Sequence, residues 1–90
     1  MVKQKENPSL KNKDDISSLR ELTLFNDDVN TFDFVIQCLV DICNHDQEQA
    51  EQCALIAHYK GKCNVKTGVF YDLKPLLEEL KLRGLTVSIE

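Results

Sequence analysis

The sequence holds no Cys-x-x-Cys pair, no long apolar run, no internal repeat and no low-complexity stretch. Each absence excludes a class of protein. The longest apolar-rich stretch, Phe32 to Cys43, is broken by Asp33, Gln37 and Asp41, so no transmembrane helix is expected. The opening MVKQKENPSLKNKDD carries no hydrophobic region, which reads against a secretory signal and for a cytoplasmic chain. Basic residues are in the minority, 11 Lys and Arg against 15 Asp and Glu for a net charge of −4. That balance argues against non-specific nucleic-acid binding. With 90 residues there is room for one small domain and none for a multidomain enzyme.

What is present suits a folded unit. Hydrophobic residues make up 42% and charged residues 29%, too apolar for global disorder and too polar for a membrane. The charge is unevenly spread. Residues 1–20 carry five basic side chains against three acids, and residues 21–90 six against twelve, so the two parts balance at +2 and −6. The first part also has few large apolar residues with which to offset its ordering entropy. Residues 1–18 therefore read as a flexible tail and residues 19–90 as the folded domain.

Leu22 and Leu24 alternate with Glu21 and Thr23, the pattern of a half-buried strand. It stops at Asn26-Asp27-Asp28, where Asp28 or Asn30 can cap the following helix. From Thr31 the period changes: Asp33, Gln37 and Asp41 form one polar stripe, while Phe32, Val35, Ile36, Leu39, Ile42 and Cys43 cover the rest. Asn44-His45-Asp46 can cap a second helix, on which Ala50, Cys53, Ala54, Ala57 and His58 share a face and which Gly61 stops. Residues 62–71 read as a strand, Val65, Val69 and Tyr71 pointing one way, with a bulge or turn at Lys66-Thr67-Gly68. Asp72 can cap a third helix, with Pro75 in its first turn and Gly84 at its end. Leu85, Val87 and Ile89 alternate as a last strand. The order β-α-α-β-α-β is that of an α+β sandwich, a three-stranded antiparallel sheet packed on three helices.

Three groups of residues could carry chemistry. Cys38, Cys43, Cys53 and Cys63, with His45 and His58, supply enough ligands for zinc. Their spacing lacks the close pairs of structural zinc sites, and within apolar helical faces a thiol behaves as a small hydrophobe, so burial is the expectation and no metal is assigned. His58, near a helix end beside small alanines, is either a core histidine or the polar rim of a hollow. The Asn26-Asp27-Asp28 turn needs one side chain for a cap, which leaves others free to accept hydrogen bonds from a cation. A small metal-dependent hydrolase using Asp27, Asp28 and His58 is the rival reading, and it lacks a candidate nucleophile.

The segments Leu24-Phe25-Asn26-Asp27-Asp28, Phe32-Asp33-Phe34-Val35-Ile36, Ala57-His58-Tyr59-Lys60-Gly61-Lys62 and Leu85-Thr86-Val87-Ser88-Ile89-Glu90 together resemble the ClpS adaptors. These small proteins deliver N-degron substrates to Clp ATPase–protease machines. The combination of Asn-Asp-Asp after a strand with His-Tyr-Lys-Gly-Lys closing the second helix carries the resemblance, which spans residues 19–90. The fold it implies is similar to the C-terminal domain of the ribosomal stalk protein, itself consistent with a general protein-interaction module.

The resemblance implies that Asn26, Asp27 and His58 hold the α-ammonium group of a substrate's first residue. It also implies that Asn30, Phe32, Val35, Ala54, Ala57 and Leu85 line a pocket for that residue's side chain. Burying a Leu or Phe side chain is worth about 1.5–3 kcal/mol, enough to select bulky residues. Four positions depart from the family pattern: Asn30 stands for the usual Thr, Phe32 and Ala54 for Met, and Ala57 for Val. A reshaped pocket that still prefers Phe, Tyr, Trp and Leu is expected. The implied protein is a monomeric, non-enzymatic adaptor without a cofactor, whose partners are N-degron substrates and the N-terminal domain of a Clp AAA+ ATPase. The family's ATPase-contacting pattern of Tyr-Thr-x-Glu does not match Tyr71-Asp72-Leu73-Lys74, so no interface residues carry over.

Overall fold

The structure, a computed structural model, describes residues 18–90. Six elements follow in order: β1 (Arg20–Phe25), α1 (Phe32–Cys43), α2 (Gln47–Lys60), β2 (Lys62–Gly68), α3 (Phe70–Leu82) and β3 (Val87–Ile89). The strands form one antiparallel sheet in the order β2-β1-β3. The chain is thus α+β, three helices against a three-stranded sheet. The expected tail falls mostly outside the described residues.

β1 is central and supplies the deepest side chains of the sheet, Leu22 and Leu24. Thr23, expected on the open face, is only 2% exposed. As a short side chain on the middle strand it sits between its register partners Asn64 and Ser88. Leu39, Cys38, Leu73 and Leu80 join the leucines of β1 in the fully buried core. Burial of each such leucine is worth about 1.5–3 kcal/mol.

The helix ends explain where the elements start and stop. Thr31, in extended conformation, caps α1 by accepting from the Phe34 N–H at 3.1 Å, where Asp28 or Asn30 had been expected. Both of those are passed over because Asp27 has already folded the turn before them. Asp46 caps α2 through the Gln49 N–H at 2.7 Å. Between these helices His45 turns inward, 7% exposed, with its Nε2 2.8 Å from the Val65 carbonyl. It is the core histidine of this fold, and His58 is exposed.

Five expectations are corrected. α1 buries one face, Ile36, Cys38, Leu39 and Cys43, while Phe32, in its first turn, is 43% exposed where it lines a cleft. β2 ends at Gly68, so Val69 and Tyr71 belong to the start of α3. Val69 occupies the cap position in place of Asp72, its carbonyl accepting from both Asp72 and Leu73; Asp72 then lies in the first turn, where a carboxylate suits the positive end of the helix dipole. Pro75 is consequently the sixth helical residue and removes one hydrogen bond from α3. The bulge falls at Val65, since Leu22 pairs with Lys66 and Thr23 with Asn64. There the extra residue turns its side chain into the core and its carbonyl to His45.

α3 closes with paired hydrogen bonds, Gly84 N–H to Lys81 and Leu85 N–H to Leu80, around a left-handed Gly84 at φ 92°. This is the Schellman arrangement, and it swings the chain back to lay β3 beside β1.

Candidate functional site

A cleft of about 320 Å³ opens where the end of β1, the following turn, the first turn of α1 and the last turns of α2 converge. Its polar rim is Asn26, Asp27, Asp28, Asn30 and His58. Its apolar wall is Leu24, Phe25, Phe32, Val35, Ala54 and Ala57. The two alanines share a buried face of α2 and leave depth where larger side chains would fill it.

Asp27 organises the turn. One carboxylate oxygen, Oδ1, accepts from the backbone N–H groups of Val29 at 2.9 Å and Asn30 at 2.8 Å. The other, Oδ2, accepts from the Asn30 side-chain amide at 2.9 Å. The Asn30 backbone N–H leads in holding the Asp27 carboxyl below its ordinary value of 3.8, with burial as an opposing push and the other two donors helping. The group is an anion at neutral pH. A carboxylate offers roughly four acceptor sites, so Asp27 can accept one hydrogen bond more.

Asn30 does a second job. The same amide nitrogen donates to the Gly84 carbonyl at 2.9 Å, tying the turn to the end of α3. Asn26 is fixed by its backbone: its N–H donates to the Gly61 carbonyl at 3.0 Å, which joins the exit of β1 to the end of α2. That bond depends on Gly61 adopting φ 95°, a conformation that disfavours any side chain. It also sets His58, one turn before Gly61, beside the turn. The His58 ring stands edge-on to Tyr59, centroids 5.0 Å apart.

Of the residues singled out in the sequence, Asn26, Asp27, Asn30, Phe32, Val35, Ala54, Ala57 and His58 meet at this cleft. Leu85 does not. It is 4% exposed, packed in the core as the residue that closes α3. Leu24 and Phe25 line the cleft without having been expected there, and so does Asp28, weighed in the sequence as a helix cap and in the hydrolase reading. The signal available for the first two was position, since a strand's last residues necessarily flank the turn that follows it.

The lining carries two carboxylates, no lysine or arginine, and no serine, threonine or cysteine. Among the described residues, no three His, Cys, Asp or Glu side chains gather as a set of metal ligands. Cys38, Cys43 and Cys53 are buried in the core and Cys63 is half-buried. The cleft's chemistry is that of an anionic, hydrogen-bonding rim over a non-polar hollow.

Fold and site together define a small α+β domain with an amphipathic cleft at the end of β1. The chain belongs to the ClpS family: residues 17–88 match the model of the ATP-dependent Clp protease adaptor protein ClpS. Curated relatives include the ATP-dependent Clp protease adapter proteins ClpS of Edwardsiella ictaluri and Cronobacter sakazakii. They are 40% and 37% identical over 62 residues, 67% of this chain and 58% of theirs. The protein of the same name from Campylobacter jejuni is 41% identical over 49 residues, 52% of this chain and 51% of its own. The chain thus spans less than two thirds of the length of these relatives. Among solved structures, Agrobacterium tumefaciens ClpS2 bound to L-phenylalaninamide superposes with a TM-score of 0.70 at 22% identity, covering 81% of this chain and 95% of that one.

Proposed function

We propose that this protein is an adaptor that binds the free N-terminal residue of N-degron substrates, preferring bulky hydrophobic ones, and delivers them to a Clp AAA+ ATPase–protease. The observation that carries the reading is the ionised Asp27 carboxylate fixed at the mouth of an apolar cleft. A free α-amino group has a pKa of roughly 7.7–8.0 and is mostly cationic at neutral pH. It is the donor that fits the remaining acceptor site on Asp27, with Asn26 and His58 as further partners on the rim. The first side chain then enters between Phe32, Val35, Ala54 and Ala57. L-Phenylalaninamide, the ligand of the similar ClpS2 structure, joins the same two features, a free amine and an aromatic side chain.

On this reading the adaptor binds and carries no reaction of its own, its rim offering hydrogen bonds and charge. It acts in the cytoplasm as a monomer, and no helix among the described residues is long and apolar enough to cross a membrane. The two alanines, Ala54 and Ala57, favour the larger rings, so Trp and Phe gain relative to Leu.

The test is fluorescence anisotropy with peptides that differ only at the first residue, each with a free and an acetylated N-terminus. Free Phe-, Tyr-, Trp- and Leu-initiated peptides bind, and acetylation weakens each by at least tenfold, the equivalent of losing one charged hydrogen bond of about 1.5–3 kcal/mol. Equal binding of Ala-, Asp- and Phe-initiated peptides would refute the reading.

A further inference from the structure

Beneath the cleft, α2 and β2 bring two thiols together. The Sγ atoms of Cys53 and Cys63 lie 3.0 Å apart, inside ordinary van der Waals contact. Cys53 is on the buried face of α2, next to Ala54 of the cleft wall, and is 5% exposed. Cys63 is half-buried on β2, an edge strand, opposite Leu24 of β1. Both sulfurs also approach the Asn64 carbonyl, at 3.9 and 3.5 Å. Neither has a role in recognition at the rim.

We propose that Cys53 and Cys63 are a reversible dithiol–disulfide pair that staples α2 to the sheet under the cleft. A disulfide needs its sulfurs at about 2.04 Å, roughly 1 Å closer than they stand, a displacement within reach of side-chain rotation. The oxidant is a low-molecular-weight disulfide of the glutathione class. The thiolate of the more accessible Cys63 attacks one sulfur of that molecule, forming a mixed disulfide and expelling one thiolate. The Cys53 thiolate then attacks the Cys63 sulfur, the mixed disulfide breaks, and the second thiolate leaves. The two protons given up by the cysteines end on the two departing thiols. Two protein thiols are oxidised and one small disulfide is reduced, so atoms and electrons balance.

The order of attack follows from burial. Burial, reinforced by the neighbouring Cys63 thiol, pushes the Cys53 thiol well above its ordinary value, so Cys53 reacts only with a sulfur already beside it. Cys43 is equally buried, 5% exposed, its thiol pushed up to about 11 by burial. The proposal stands whatever the cleft binds.

The experiment treats the full chain with oxidised glutathione and reads free thiols and intact mass. Expected is loss of two of the four thiols, a mass lower by two hydrogens, and full reversal by dithiothreitol. Trypsin cuts after Lys60, Lys62 and Lys66, so Cys63 falls on its own short peptide while Cys38, Cys43 and Cys53 share the peptide 21–60. The cross-link therefore joins those two peptides. Cys43→Ser and Cys38→Ser keep it, and Cys53→Ser replaces it by a stable glutathione adduct on Cys63. Thermal unfolding confirms that each variant is folded, and the oxidised wild type unfolds at higher temperature than the reduced one. A glutathione adduct that persists on the wild type, or a cross-link lost in Cys43→Ser and kept in Cys53→Ser, overturns the assignment.

Discussion

Asp27 concentrates structure and, on the proposed function, recognition in one side chain. Three hydrogen bonds from Val29 and Asn30 hold it, and on that reading the charge that attracts a substrate amine is the charge that orders the turn. Replacing it by alanine is expected to weaken binding of a free Phe-initiated peptide by about tenfold to a hundredfold, the range of one charged hydrogen bond. The fold survives, with a loss of about 1 kcal/mol, because the freed Val29 N–H is exposed and the Asn30 donors are only partly buried. The sign of the pH dependence follows from the lowered pKa: the folded state favours the ionised form, so the stabilisation is complete above the ordinary value of 3.8 and disappears as the pH falls through the lower folded value. Denaturation of wild type and Asp27→Ala should therefore differ at pH 7 and converge in strong acid. A variant that keeps its affinity, or a stability difference that persists unchanged into acid, contradicts this account.

At the scale of elements, termini decide where the site forms. The Asn26 N–H bond to Gly61 joins β1 to α2 only because Gly61 takes φ 95°. A Cβ there meets nothing within 4 Å, so the strain of Gly61→Ala is in the backbone alone, about 1–2 kcal/mol. The expected result is that loss in chemical denaturation together with weaker peptide binding, as the turn loses its anchor on α2. Unchanged binding in a destabilised variant would separate the two roles. The same termini divide what the sequence made legible from what it did not. Alternation and helical periodicity located all six elements, because burial on one face imposes those periods. The start of α3 was misplaced because Val69 caps it without a side-chain hydrogen bond, and Asp72 offered the more conventional signal. The bulge was misplaced by one residue or more because its cause, the His45 contact to the Val65 carbonyl, is remote in sequence. Leu85 lies outside the cleft lining for a similar reason: its burial follows from the way Gly84 closes α3, a three-dimensional consequence of a left-handed glycine. The rim residues were legible only as a combination of distant segments that resembles a family, since no single motif among them specifies a pocket.

For the molecule as a whole, the division of charge bears on how substrate is handed over. The domain carries its cleft in a region of net −6, which suits a cationic N-terminus arriving at Asp27. The first twenty residues balance at +2. On the proposed function, recognition and delivery are expected to separate along the chain, the domain sufficing to bind and residues 1–18 serving the ATPase during transfer. Deleting residues 2–17 is expected to leave the affinity for a Phe-initiated peptide within twofold of wild type, while degradation of a Phe-initiated reporter by the ATPase–protease slows. The binding arm is read by anisotropy and the delivery arm by loss of reporter fluorescence, on the same preparation. Lost peptide binding would place the segment in the recognition site, and unimpaired degradation would leave it no part in delivery.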